Sequence, residues 1–297
     1  MKSGQALVIV LLIMAVVLTI GLSIGSQTVT DIKISKREEE SARAFSAAEA
    51  GIEEVLFNSS QTVTSGTVEN ANYQTEKTNF GAGVTELAYP YKLASGDSAT
   101  LFFMSHDANG NLSCALPLVC FTDRFISVYW GTEGDVTANK GRETTPALEI
   151  GIIHNQAGTH RIARGYYDPF TGASDPDTGR RSNRFAAVTD SSGNFSVGGS
   201  VFKFRQLIDL GPAGFNIPNR TIPGVLVMMR IKLHYNSTPQ KVGIRVNSAG
   251  SLPSQGVEIS STGTYGQSTQ KVKVFQLFPD APALFDYTLY SGDRLIK

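Results

Sequence analysis

The first thirty residues of this 297-residue chain hold one charged side chain, Lys2, and an uninterrupted run of apolar or small residues from Ala6 to Ile24. No proline occurs before Pro90, and between Gln5 and Phe57 the only glycines are Gly21, Gly25 and Gly51. At ~1.5 Å per residue the run from Ala6 to Ile24 rises about 28 Å as a helix, the hydrocarbon thickness of a bilayer. A secretory signal has a longer basic n-region and a small-x-small cleavage site after its apolar stretch. Here the one basic residue is Lys2, and no turn follows the run. The segment is therefore expected to stay in the working protein.

Residues Asp31 to Leu56 continue the helix with strong helix formers, among them Lys36, Arg37, Glu38, Glu39, Glu40, Ala42, Arg43, Ala44, Ala47 and Ala48. Glu39 precedes Arg43 by one turn, the favourable order, and Lys36 stands one turn before Glu40. Phe45, Ala48, Ile52 and Val55 step by three, four and three, which predicts one apolar stripe facing a partner. The spacing thus predicts a single helix over 5–57, with its half 6–24 suited to lipid and the remainder suited to a protein surface.

Two elements at this separation carry a family resemblance. One is the very short leader Lys2-Ser3-Gly4 abutting Ala6-Leu7-Val8-Ile9-Val10-Leu11. The other is Ala44-Phe45-Ser46-Ala47-Ala48-Glu49-Ala50-Gly51-Ile52-Glu53. Together they resemble the N-terminal regions of PilX-type minor pilins of the type IV filament family. The resemblance implies a leader over 1–4, cut between Gly4 and Gln5 by a prepilin peptidase, with methylation of the new amine. It also implies subunits that wait in the membrane and assemble with other pilin-like subunits through the helix.

One departure bears on the role. Major pilins carry a glutamate five residues after the cut, where this chain has Ile9, and Gln5 replaces the usual phenylalanine. That points away from a major pilin and toward a minor or tip subunit. Hydropathy alone also fits a plain signal-anchor that holds an outer domain to the membrane. Gly21 and Gly25 form a small-x-x-x-small step that allows close helix approach in lipid, weakens the helix there, or reflects only the frequency of glycine in spanning helices.

Past Phe57 the composition changes. Residues 58–83, rich in Ser, Thr, Asn, Gln and Gly, read as a linker or loop. From Val84 come short β-favouring runs bounded by turn residues, at Thr100–Met104, Arg124–Trp130, Ala147–Ile153, Arg161–Tyr167, Val201–Leu207, Gly224–Tyr235, Lys241–Val246, Val257–Ser261 and Lys271–Phe278. Several alternate in period two, as half-buried antiparallel strands do. The expected fold is α+β: a long N-terminal helix followed by a mostly antiparallel extracellular β-sandwich over 84–297, as one domain or two small lobes. Segments 138–145 and 168–184 read as exposed loops. The aromatic-rich stretch from Val274 to Tyr287 reads as a terminal clasp on the core.

The remaining chemistry is sparse. Acidic and basic residues balance at 26 each, and no basic stripe marks a nucleic-acid face. Arg180, Arg181 and Arg184 beside Asp175 and Asp177 read as a solvated, mutually paired loop. Cys114 and Cys120 flank a proline-containing loop in an oxidising compartment, so a disulfide is expected, contributing at most about 2–3 kcal/mol. No CxxC or histidine pair accompanies them to make a zinc site. His106, His154, His160 and His234 sit in no HExxH or GxSxG context. Asp107-Ala108-Asn109-Gly110-Asn111 lacks the closing glutamate of a calcium loop and reads as an Asn-Gly turn. No cofactor is implied. Carboxylate pairs that meet only in space stay open, as do three function classes: a filament subunit displaying a β-domain for assembly or adhesion, an anchored carbohydrate- or surface-binding module, and an anchored hydrolase. Trp130 and the tyrosines fit a core or a sugar-stacking surface, the core being the commoner place for strand aromatics.

Overall fold

The computed structural model describes residues 3–58, 61–135, 145–169, 183–247 and 251–280. Helix α1 runs Ser3–Phe57, 55 residues. The strands that follow are β1 Val63–Val68, β2 Ala71–Phe80, β3 Glu86–Ala88, β4 Ser98–Phe102, β5 Ser105–His106, β6 Leu112–Ser113, β7 Phe125–Trp130, β8 Ala147–Gln156 and β9 Thr159–Asp168. They continue with β10 Ala186–Ala187, β11 Phe195–Val197, β12 Ser200–Phe202, β13 Phe204–Asp209, β14 Leu226–His234, β15 Gly243–Val246, β16 Gly256–Tyr265 and β17 Ser268–Leu277. The helix-then-sheet, mostly antiparallel architecture is the one expected from the sequence.

The chain divides into two compact units, residues 1–78 with 258–274, and residues 79–257 with 275–297. This corrects two expected boundaries. Residues 58–83 are not a linker, because they hold the hairpin β1–β2, paired from Val63↔Glu76 to Val68↔Ala71. Its two turn residues, Glu69 and Asn70, both have positive φ (46° and 68°), as a two-residue hairpin turn that matches strand twist requires. A Glu-Asn turn in a polar run lacks the Asn-Gly signature, so the hairpin reads as loop. The outer domain also does not own everything from residue 84 onward: residues 258–274 group with the helix, since β16 and β17 complete the sheet order β1-β2-β16-β17.

The second unit is the sandwich. One sheet has the order β10-β9-β8-β14-β4 and the other β13-β7-β15-β3. In the first, Met229↔Ile152, Ile231↔Ile150 and Leu233↔Leu148 are register pairs. In the second, Trp130↔Phe204, Ile126↔Ile208 and Val128↔Ile244 are. All twelve side chains belong to one buried cluster, so the inner faces of the two sheets close on each other. Trp130 is fully buried and its indole N–H donates to the Pro146 carbonyl at 2.9 Å, which places it in the core.

Two features finish the edges. Gln255 turns its side-chain amide onto β4, accepting from Phe102 N–H at 2.7 Å and donating to Phe102 C=O at 3.0 Å. The described part of the aromatic ending packs as expected, Phe275 against Phe80 at 4.9 Å and Phe278 against Phe102 at 6.2 Å. Its remainder, Pro282 to Tyr287, lies outside the described residues, as do 138–144, most of 168–184, and Arg180, Arg181, Asp175 and Asp177.

Arg124, just before β7, holds Asp209 at the end of β13 through paired bonds of 2.7 Å each. The Arg124 guanidinium brings the Asp209 carboxyl down to about 2. A carboxylate depressed in the fold contributes stability above its unfolded value, and that contribution is lost as pH falls through the folded value. Thermal unfolding should therefore show Asp209→Asn less stable than the native chain by a constant margin above about pH 5, with the margin shrinking between about pH 4 and pH 2. A margin unchanged down to pH 2 would count against the pair as its source.

Candidate functional site

Helix α1 has two halves of opposite environment. From Leu7 to Ile34 every described side chain is exposed, including Leu11, Leu18 and Leu22. From Ala44 onward one face disappears: Ala44, Ala47, Ala48, Ile52 and Val55 are buried. The alternation of three- and four-residue steps places 44, 47, 48, 51, 52 and 55 on one side of an α-helix.

That side rests on the unit's own sheet, and small residues set how closely. A Cβ added at Gly263 on β16 would stand 1.9 Å from the Ala44 carbonyl oxygen and 2.7 Å from the Ala48 nitrogen. A Cβ added at Gly51 would stand 2.2 Å from Thr75 Oγ1 and 2.6 Å from Ser261 Oγ. Those two hydroxyls, on β2 and β16, share a buried hydrogen bond of 2.7 Å. Around the rim, Glu54 accepts from the Tyr73 hydroxyl, Gln270 donates to Ser41 at 2.8 Å, and Glu40 accepts from Gln267 N–H at 3.2 Å. Arg43 lies over the Tyr265 ring at 5.0 Å. The alanine–glycine element thus acts as a dock between helix and sheet backbone.

The residues expected to pack are partly regrouped. Ala48, Ile52 and Val55 share the buried face, whereas Phe45 is 45 % exposed and stands off it. The stripe is centred one position earlier than expected, on Ala44, Ala48 and Gly51. Phe45 instead lines a shallow surface groove of about 530 Å³ with Ile34, Arg37, Glu38, Ala42 and Gln270. Alanine carries too little apolar weight to reveal this face by hydropathy, so sequence reasoning passed over Ala44, Ala47 and Gly51. Gly21 and Gly25 have nothing within 4 Å. Gly4 and Gln5 fall in the first turns of α1.

In the second unit Cys114 and Cys120 are joined by a disulfide. The Asp107 turn is closed by its own side chain, which accepts from Asn109 and Asn111 N–H at 2.8 and 2.9 Å. Glu149, nearly buried on β8, takes Arg164 at 3.0 Å and His234 at 2.8 Å. Burial pushes its carboxyl up, but the His234 bond and the nearby Lys232, His234 and Arg164 charges outweigh that and hold it below the usual range. His106 stacks on Phe278 at 3.8 Å, and burial lowers its pKa. Among the described residues no group of three His, Cys, Asp or Glu is placed to hold a metal ion.

Replacing a helix glycine by alanine ordinarily stabilises by about 1 kcal/mol. At Gly51 the hydroxyls overhead reverse that sign. Gly51→Ala and Gly263→Ala should each destabilise by about 1–3 kcal/mol or more, while Gly21→Ala and Gly25→Ala should cost nothing. Denaturation of the full chain in detergent checks this, and equal behaviour of the four variants would remove the dock. Non-reducing peptide mapping of exported protein should recover Cys114 linked to Cys120, and two alkylatable thiols would contradict it.

No curated protein and no solved structure matches the chain. Residues 3–53 match the PilX N-terminal family, a span that holds both the exposed apolar half of α1 and all but the last turn of the docked half. Over this N-terminal region, and over no more of its length, the chain is similar to PilX-type pilins.

Proposed function

We propose that this chain is a minor or tip subunit of a type IV pilus-like filament. Its helix holds it in the membrane before assembly, and its sandwich is displayed outside for assembly or adhesion. The carrying observation is the division of α1: a charge-free apolar half with no partner among the described residues, continuous with a half docked on its own sheet. The first half needs lipid or the helices of neighbouring subunits, and the second ties it to its own sheet. The absence of an acid between Gln5 and Thr30 favours a minor or tip place over the shaft. Its work lies in assembly and display rather than catalysis.

Processing between Gly4 and Gln5 would make Gln5 the first residue of the mature chain. Intact-mass analysis of protein from the native host should find that terminus, methylated. Filament-borne chains still starting at Met1 would refute the peptidase step. Val10→Asp or Leu11→Lys should cost about 3 kcal/mol in lipid and a similar amount in a helix bundle. Incorporation into filaments should then fail. Unaffected incorporation would reduce α1 to a simple anchor.

A further inference from the structure

The charge-free half of α1 begins with Gln5, and Gln5 is the residue that the processing step proposed above would leave first. A glutamine in first place carries a free amine and an amide carbonyl within one residue, the two ends of a five-membered ring. Anywhere else in a chain its nitrogen is held in a peptide bond, and the ring cannot form. The first acidic residue after it is Asp31, about 39 Å further along the helix at ~1.5 Å per residue. Every described side chain from Leu7 to Ile34 is exposed, so this end of α1 needs lipid or the apolar helices of other subunits around it.

An ordinary chain-terminal amine is badly placed there. It is protonated near neutral pH, and it meets the positive end of the helix macrodipole. The nearest carboxylate along α1 lies several Debye lengths away. In apolar surroundings such a charge needs a counter-charge or must be lost. Ring closure removes it. The lone pair of the amine nitrogen attacks Cδ of the same residue, the N–Cδ bond forms and the Cδ–Nε2 bond breaks. Ammonia leaves with the hydrogen that the amine gives up. No oxidant, reductant or second reactant is consumed. A methylated amine keeps one hydrogen and closes in the same way. The product is a lactam, whose amide nitrogen carries no charge.

We propose that Gln5, once it is the first residue, cyclises to pyroglutamate, so that α1 enters its apolar surroundings with an uncharged end. The inference rests on the cut between Gly4 and Gln5 and deepens that reading. It gives one cause to two sequence features of this end, a glutamine first and no acid before Asp31. With the amine neutral, no carboxylate is required to answer it.

The test is N-terminal mass spectrometry of the full chain from the native host, with a synthetic peptide that begins in glutamine added at lysis. Mature termini are expected to be lighter by one ammonia than the open form, methylated or not, while the added peptide stays open. A terminus at Gln5 with amine and amide both intact would overturn the ring and leave the processing step standing. A chain starting at Met1 would overturn both. Equal closure of the added peptide would assign the ring to handling and overturn it as a property of the protein. Gln5→Asn, one methylene shorter, would need a four-membered ring, so its terminus should keep the amine. Its incorporation into filaments should fall about tenfold, because a charge then enters the apolar bundle. Native incorporation by a variant shown to keep its amine would overturn the role given to the ring.

Discussion

The distance between α1 and its sheet is set by what is missing from two positions. With no Cβ at Gly51 and Gly263, the helix backbone at Ala44 and Ala48 reaches the strand backbone itself, and the remaining space is filled by a hydroxyl pair, Thr75 with Ser261. A contact this close is either made in full or lost, because backbone cannot yield as a long side chain does.

The two units achieve burial by different means. The sandwich closes bulky inner faces, Trp130, Phe204, Ile150 and Ile231 among them, at the separation two sheets demand. The helix unit buries mainly methyl groups and satisfied polar atoms, and ties its rim with Glu54–Tyr73, Ser41–Gln270 and Glu40–Gln267. Large side chains tolerate substitution of similar volume, whereas a small-residue interface tolerates almost none. Both halves of the helix therefore constrain sequence, one by excluding charge and the other by excluding size.

Much of this was legible beforehand. The uncharged run Ala6–Ile24 and the proline-free stretch to Phe57 announce the helix, and alternation in β13 and β17 announces half-buried strands. What escaped did so for identifiable reasons. The hairpin β1–β2 is written in threonine, serine and asparagine around a Glu-Asn turn, a composition shared with loops. The dock is written in alanine and glycine, so Phe45 drew the stripe toward itself although it faces outward. Glu149 and His234 are far apart in sequence, and only the register Lys232↔Glu149 of β14 with β8 brings them together. The assignment of β16 and β17 to the helix unit depends on long-range pairing that no local window contains.

The Gln255 side chain has a bearing on crowding. Its amide copies a peptide group, donating and accepting at Phe102, the last residue of edge strand β4. Open strand borders recruit one another, and the risk rises with local concentration. In the membrane-held state proposed above, a domain carried on this helix would be confined to two dimensions with others like it. Occupying that border from within lets neighbouring domains lie side by side without fusing into a continuous sheet.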